Sequence, residues 1–142
     1  MRKVSDILRR KGNRVTSVAP TLPVIDALHI MADQNIGSVV VTDNDKFLGI
    51  MTERDYSRKV ILKGRSSTDT TVAEIMSSDF PIVRMKDTVD YCMQLMSEQN
   101  LRYLPVMEEN ELAGILSIHD VITETIITQQ ETISHLQNYI QS

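Results

Sequence analysis

The sequence predicts an α+β protein made of two similar half-units related by a pseudo-two-fold axis. Three observations point there. The chain repeats itself: residues 22–55 align with residues 87–120 without a gap, at a shift of 65, and eight of the 34 positions are identical. They are Val24/Val89, Met31/Met96, Gln34/Gln99, Asn35/Asn100, Val41/Val106, Gly49/Gly114, Ile50/Ile115 and Asp55/Asp120. In each copy, a segment of helical periodicity precedes two short alternating runs and a further helix. Each copy is about 60 residues, marginal for a lone folder, so the copies are expected to share a core.

The elements follow in the same order in both copies. Val4–Leu8 resembles Val72–Met76, here at a shift of 68, so the loop at Lys11–Arg14 is three residues longer than its counterpart. Thr71 and Glu74 have the spacing of a capping box, which starts a short helix. A short strand is expected around Val15–Val18 and again at Ile82–Val83. Val24, Ala27, Leu28 and Met31 recur at helical spacing, as do Val89, Cys92, Met93 and Met96. Thr21 and Asp87 are the expected N-caps of these two helices. Asn35 and Asn100 are the expected stops, because Asn tolerates the left-handed conformation. Two hairpins come next. Ser38–Thr42, the turn Asp43–Lys46 and Phe47–Met51 form one; Tyr103–Met107, Glu108–Glu111 and Leu112–Leu116 form the other. Each runs into a helix, from Arg54 to about Leu62 and from Asp120 to Ile140. On this pattern residues 1–63 are module 1, the polar, turn-rich residues 64–70 a linker, and residues 71–142 module 2 with a C-terminal helix.

Composition narrows the function. The net charge of −4 gives no electrostatic reason to bind nucleic acid or an acidic membrane. The basic N-terminal run (Arg2, Lys3, Arg9, Arg10, Lys11, Arg14) reads as a local solvated face. One cysteine excludes an internal disulfide and fits a reducing compartment. No apolar run is long enough for a transmembrane helix. The first copy begins almost at Met1, so no signal or transit segment is expected, and the location is expected to be cytoplasmic.

The chemistry concentrates in Gly49–Asp55 and Gly114–Asp120. Both follow the pattern Gly, two apolar residues, a hydroxyl, two variable residues, Asp. The hydroxyl stands where strand becomes helix. There, its side chain and the first helix amides can address an anion, helped by the positive end of the helix dipole. The Asp can cap the helix, or accept two hydrogen bonds from a cis-diol such as a ribose. Two N-terminal caps and nothing more is the plain alternative. Its weight falls because the pattern occurs twice, in register, each time behind a Gly-containing strand.

These residues carry a resemblance. Both copies look like CBS modules, named after the C-terminal regulatory region of cystathionine β-synthase. The duplicated Gly-x-x-Thr/Ser-x-x-Asp motif, the hairpin before each copy and the pair Pro105–Val106 carry it, over nearly the whole chain. Met51–Val60 followed by Lys63–Ser66 is similar to stand-alone two-module proteins that bind adenine nucleotides. The resemblance implies two βαββα modules packed sheet to sheet, with two clefts at their interface. It implies adenine against the early strand and hairpin of one module, and ribose and phosphates against the hydroxyl and Asp of the other. One cleft would join Val83, Leu101, Tyr103, Leu104 and Pro105 to Thr52, Arg54 and Asp55. The second would join Val18, Ile36, Gly37 and Ser38 to Ser117, His119 and Asp120.

The two clefts are not expected to be equal. The first has Tyr103 and Pro105 as apolar walls for a purine and Arg54 for phosphate, with Arg58, Lys59 and Arg65 not far along the chain. The planar guanidinium fork suits phosphate oxygens. The second has Gly37–Ser38, Val40 and His119 in the corresponding places. Neutral histidine is a weak phosphate partner, so this cleft is expected to be weaker, empty or pH-dependent.

Other features point away from catalysis. Cys92 falls on the apolar face of a helix with no base in a recognisable arrangement. His29, His119 and His135 lack metal-ligand spacing, so no metal is expected. The methionines fall mostly at core positions. The expected function is therefore regulatory and non-enzymatic. The chain would sense AMP, ADP, ATP or NAD(H) as ligand, with no catalytic cofactor, and signal to a regulated protein partner. A ligand-free interaction and dimerisation module is the rival; a nucleotide hydrolase is the weakest reading, since no activated nucleophile is visible. Ile122, Ile126, Ile133, Leu136 and Ile140 follow a heptad-like spacing interrupted by Gln129. That stripe fits either a helix docked on its own core or a dimer seam, and the resemblance implies a homodimer.

Overall fold

The structure, a computed structural model, describes residues 1–141. The chain packs as two compact units, and their boundaries cut across the sequence repeat. Residues 15–80 form one unit; residues 1–14 together with residues from 81 onward form the other. The short helix that opens each repeat thus belongs to the unit built by the other copy. This differs from the division into residues 1–63 and 71–142 expected from the repeat, which follows homology along the chain rather than contact.

In the unit of residues 15–80, β1 (Ser17–Val18) lies parallel to β2 (Ser38–Asp43), which pairs antiparallel with β3 (Lys46–Thr52). Helix α2 (Val24–Gln34) packs Val24, Ala27 and Met31 against Val39, Val41 and Met51. The strand β3 runs into α3 (Glu53–Tyr56), which widens into a π turn over Ser57–Ile61. Helix α4 (Val72–Ile75) adds Val72 and Ile75 to the same core. Ser77 then pairs antiparallel with Ile50, extending the sheet on the far edge of β3.

The second unit repeats this plan. Val83 lies parallel beside Val106 of β4 (Tyr103–Glu108), which pairs with β5 (Glu111–Ser117). Helices α5 (Val89–Gln99), α6 (Ile118–Gln141) and α1 (Val4–Lys11) cover the core of Ile7, Val89, Cys92, Met96, Leu104 and Leu116. Both hairpins close on two residues of positive φ, Asn44–Asp45 and Glu109–Asn110. Paired left-handed residues define a type I′ turn, whose twist matches that of the flanking strands.

The expected helix stops hold: Asn35 and Asn100 both sit at φ 54°, in the left-handed region. The Thr71–Glu74 box forms, with the Thr71 amide donating to Glu74 Oε2 at 2.9 Å. The expected N-caps do not hold. Thr88, not Asp87, caps α5 by accepting from the Tyr91 amide at 3.1 Å, while Asp87 accepts from the Arg84 amide and closes the preceding turn. Thr21 stands too early, because α2 starts behind Pro23, a residue with no side-chain acceptor. The first amides of α2 still need partners. Val24 and Ile25 donate to the carbonyls of Thr70 and Ser67, at 2.8 and 3.0 Å. Residues 64–70, expected as a linker, therefore supply a backbone cap for α2, and Thr70 is buried.

Candidate functional site

Thr52 ends β3 in extended conformation and caps α3 reciprocally with Asp55. The Asp55 amide donates to Thr52 Oγ1 at 3.0 Å, and the Thr52 amide donates to Asp55 Oδ2 at 2.9 Å. The Thr52 hydroxyl also donates to Oδ2, at 3.1 Å. The other oxygen, Oδ1, accepts from the Ser77 hydroxyl at 2.9 Å and pairs with Lys59 Nζ at 3.0 Å. Asp55 is 7 % exposed. A carboxylate offers about four acceptor sites, and here four donors fill them. Lys59 spends its remaining protons on the Ile75 carbonyl at 2.9 Å and on Ser77 Oγ at 3.3 Å. The carboxylate expected to meet a diol thus holds the end of α4 to the sheet.

The second copy repeats the cap with other partners. The Ser117 amide donates to Asp120 Oδ2 at 2.8 Å, and the Asp120 amide donates to Ser117 Oγ at 3.1 Å. Lys11, at the end of α1, donates to Asp120 Oδ2 at 2.7 Å and to the Ile115 carbonyl at 3.0 Å. Burial pushes the Asp120 carboxyl up, but the bonds from Lys11 and Ser117 outweigh it and hold it below its ordinary 3.8.

The first amide of each helix is also satisfied. Glu53 N–H donates to the Gly37 carbonyl at 3.1 Å, and Ile118 N–H to the Arg102 carbonyl at 2.8 Å. The motif glycines have a packing role. A Cβ on Gly49 would stand 2.7 Å from the Ser77 carbonyl oxygen, and one on Gly114 would meet the Leu8 methyls at 3.0 and 3.1 Å. Each glycine makes room for the short helix borrowed from the other repeat, or the residue following it.

The remaining expected residues fall as follows. In the unit of residues 15–80, Arg54 is half-buried beside Asp55, Arg58 is exposed on the π turn, and Ile36, Gly37 and Ser38 lead into β2 half-buried. Val18 is buried in β1. Arg65, expected near a phosphate, pairs with Glu74 at 3.0 Å. In the other unit, Val83 and Leu104 are fully buried, Pro105 is buried, Leu101 and Tyr103 are half-buried, and His119 is exposed. The Val83 amide and carbonyl are both spent on β4, to the Pro105 carbonyl and the Met107 amide. Leu101 packs against the core of its own unit.

Sequence reasoning missed several participants. Lys59 was legible as the i+4 partner of Asp55 on a helix face. Ser77 and Lys11 were not, being distant along the chain. The N-terminal basic run was expected to be solvated, yet Arg10 and Arg2 flank the carboxylate of Glu124, which is 2 % exposed, at 3.1 and 3.6 Å. Arg2 also bonds Glu131. Burial raises the Cys92 thiol to about 11, which leaves it protonated and unreactive at neutral pH. Among the described residues no group of three or more His, Cys, Asp or Glu could hold a metal ion, and no helix is long and apolar enough to cross a membrane.

Comparison with known proteins agrees with the repeat. The CBS domain model matches residues 4–61 and 72–126. The chain is 33 % identical over 147 residues to the mitochondrial CBS domain-containing protein CBSX3 of Arabidopsis thaliana, covering 97 % of this chain and 71 % of that one. A protein of solved structure from Burkholderia ambifaria, named for signal transduction and CBS domains, is 41 % identical, with a TM-score of 0.85 over 89 % of this chain and 96 % of that one. The CBS-domain containing protein ATU1752 from Agrobacterium tumefaciens is 36 % identical, with a TM-score of 0.82 over 87 % and 98 %.

Proposed function

This chain belongs to the CBS-domain family, and from that premise we propose that it is a regulatory protein that binds an adenosyl nucleotide (AMP, ADP, ATP or NAD(H)) and signals by a change in conformation or partner affinity. The observation that carries the reading is the duplicated motif at two strand-to-helix junctions, each with a hydroxyl and an aspartate in one reciprocal cap. In this reading Thr52 and Asp55 meet the ribose, and Arg54 and Arg58 the phosphates. Tyr103 and Pro105 are the proposed adenine walls. Arg65, tied to Glu74, would have to exchange that partner to join.

The filled carboxylate gives the signal a route. A ribose hydroxyl that bonds Asp55 must displace one of its four donors, and where it takes the place of Ser77 or Lys59 it releases a side chain that ties Asp55 to the end of α4. A ligand shifts a conformational equilibrium only by its differential affinity for the two states, and this exchange of partners is a source of such a difference. The chain is read as having no chemistry of its own, in keeping with relatives named for CBS domains and signal transduction. The buried lone thiol suits a reducing compartment such as the cytoplasm.

A second reading has a specific observation behind it. Asp55 is already satisfied without a ligand, and α6 exposes an apolar stripe, as in a constitutive interaction module that pairs as a homodimer. Thermal melts with AMP, ADP, ATP and NADH separate the two. Ligand at about 100 times its dissociation constant adds about 2.7 kcal/mol, a rise of several degrees at this size. A rise with one nucleotide that disappears in Asp55→Asn supports the sensor. No rise with any of them supports the interaction module.

A further inference from the structure

We propose that Arg2 splints a threonine-rich hinge in α6 and so sets whether the outer half of that helix stays ordered. The two halves of α6 have different surroundings. Ile118, Val121 and Glu124 dock on the unit's own core and on the N-terminal arginines. From Gln129 to Gln141 every residue is exposed, Ile133, Leu136 and Ile140 among them, so this half does not dock on the chain's own core. A lone helix shorter than roughly 12–15 residues is marginal in water even with the best helix formers. Thr132, Ile133, Ser134, Asn138 and Ile140 are all poorer formers than alanine, so local propensity does not hold the outer half.

The stretch that joins the halves is weak as a helix. Between Ile122 and Thr128 every residue except Glu124 is β-branched, the class that loses rotamer freedom against the preceding turn. Thr125, Thr128 and Thr132 turn their hydroxyls back on the carbonyls of Val121, Glu124 and Thr128, at 2.9, 3.0 and 3.0 Å. Such back-bonding weakens and bends a helix. Here it occurs three times in succession, where α6 leaves the core.

Arg2 crosses that stretch. Glu124 and Glu131 stand two turns apart on one face, about 10.5 Å along the axis. Arg2 Nε lies 3.6 Å from Glu124 Oε2, and Arg2 Nη2 donates to Glu131 Oε1. The Arg2 carbonyl accepts from the Val89 amide at 3.0 Å, and Lys3 pairs with Thr88, so the backbone under the splint is fixed to the unit. Glu124 is 2 % exposed and also holds Arg10 at 3.1 Å, whereas the Glu131 side chain is 51 % exposed. The splint is therefore firm on the core side and open to water on the outer side. Salt screens a pair of that exposure, so the order of the outer half follows ionic strength. An anion that draws Arg2 from Glu131 acts in the same direction. The inference needs no nucleotide and stands independently of ligand binding.

The test is amide hydrogen exchange of the full chain, read by mass spectrometry over residues 118–124 and 132–141. Glu131→Gln keeps the helix propensity and the Arg2–Glu124 contact but removes the outer charge. In that variant residues 132–141 should exchange about threefold faster, the size expected for an exposed pair, while residues 118–124 keep the wild-type rate. In 1 M salt the wild-type outer half should speed up to match Glu131→Gln, and Glu131→Gln should not change. Adding Thr128→Ala and Thr132→Ala to Glu131→Gln should restore wild-type protection, because it strengthens the hinge that the splint spans. Equal exchange of residues 132–141 in wild type and Glu131→Gln overturns the proposal. So does an equal acceleration of residues 118–124, which marks a loss of stability throughout the unit. Failure of the two threonine replacements to restore protection overturns the hinge.

Discussion

Each unit borrows its opening helix from the other repeat, and the two borrowed helices are fastened differently. Helix α4 is fastened by backbone and buried polar groups. Ile50 and Ser77 exchange two amide–carbonyl bonds at 2.9 Å, Gly49 leaves room for the Ser77 carbonyl, and Asp55 gathers Ser77 and Lys59. Helix α1 also starts on backbone bonds, with Val4 and Ser5 donating to the Asp87 and Met85 carbonyls at 2.9 and 3.0 Å, but side chains hold its far end. Leu8 packs on Gly114, Lys11 reaches Asp120, and Arg10 and Arg2 close on Glu124. Past the backbone bonds at each helix start, α4 is thus held by further short-range hydrogen bonds and α1 by apolar contact and charge. Charge pairs, which salt screens, are more numerous at α1 than at α4.

The glycines should separate the two most sharply. Gly49→Ala drives a Cβ into a backbone oxygen that cannot swing aside, and should cost about 3 kcal/mol. Gly114→Ala meets only the flexible end of Leu8, and should cost about 1 kcal/mol. Equal melting-temperature losses would break the comparison. Glu124→Ala leaves Arg10 without its acceptor and Arg2 with Glu131 alone. Their partial exposure lets water compensate, so the expected cost is about 2 kcal/mol rather than that of a fully buried pair. That loss should shrink in 1 M salt, whereas the Gly49→Ala loss should not.

The caps come next in size. Asp55→Ala strips partners from Thr52, Ser77 and Lys59 together, and should cost about 2 kcal/mol. Asp120→Ala, whose side-chain partners are Ser117 and Lys11 alone, should cost about 1 kcal/mol. Chemical denaturation of both variants gives the ranking directly.

Acid sharpens the same contrast with a smaller effect. Asp120 is held below its ordinary 3.8 in the folded state, so its stabilisation is present above that value. It is lost as pH falls through the depressed folded value. The gap in melting temperature between wild type and Asp120→Asn should therefore stay constant above the carboxylate range and close below it. Lys11→Met should move the onset of that closure to higher pH.

Much of this architecture was legible in residues close along the chain. Asn35 and Asn100 announced left-handed stops, and the hydroxyl–aspartate spacing announced two caps, because these depend on backbone geometry within one turn. The pair Asp55–Lys59 was legible for the same reason. Thr21 and Asp87 misled because N-cap propensity alone does not locate the first turn. Pro23 has no acceptor to offer, and α2 took the carbonyls of Ser67 and Thr70 from a segment that composition marked as a tether. The basic N-terminus looked solvated because Glu124, its acceptor, lies more than a hundred residues away.

The sequence by itself determined the duplication, the order of elements, the hairpin turns and the twin motifs, since each follows from local propensity and a repeat visible without coordinates. Only the tertiary structure decided that the opening helices change places, that the motif glycines exist for the chains crossing them, and that Asp55 arrives with its acceptors filled. Those outcomes depend on contacts between segments far apart in the chain, where several pairings satisfy the same hydrophobic pattern and packing selects among them.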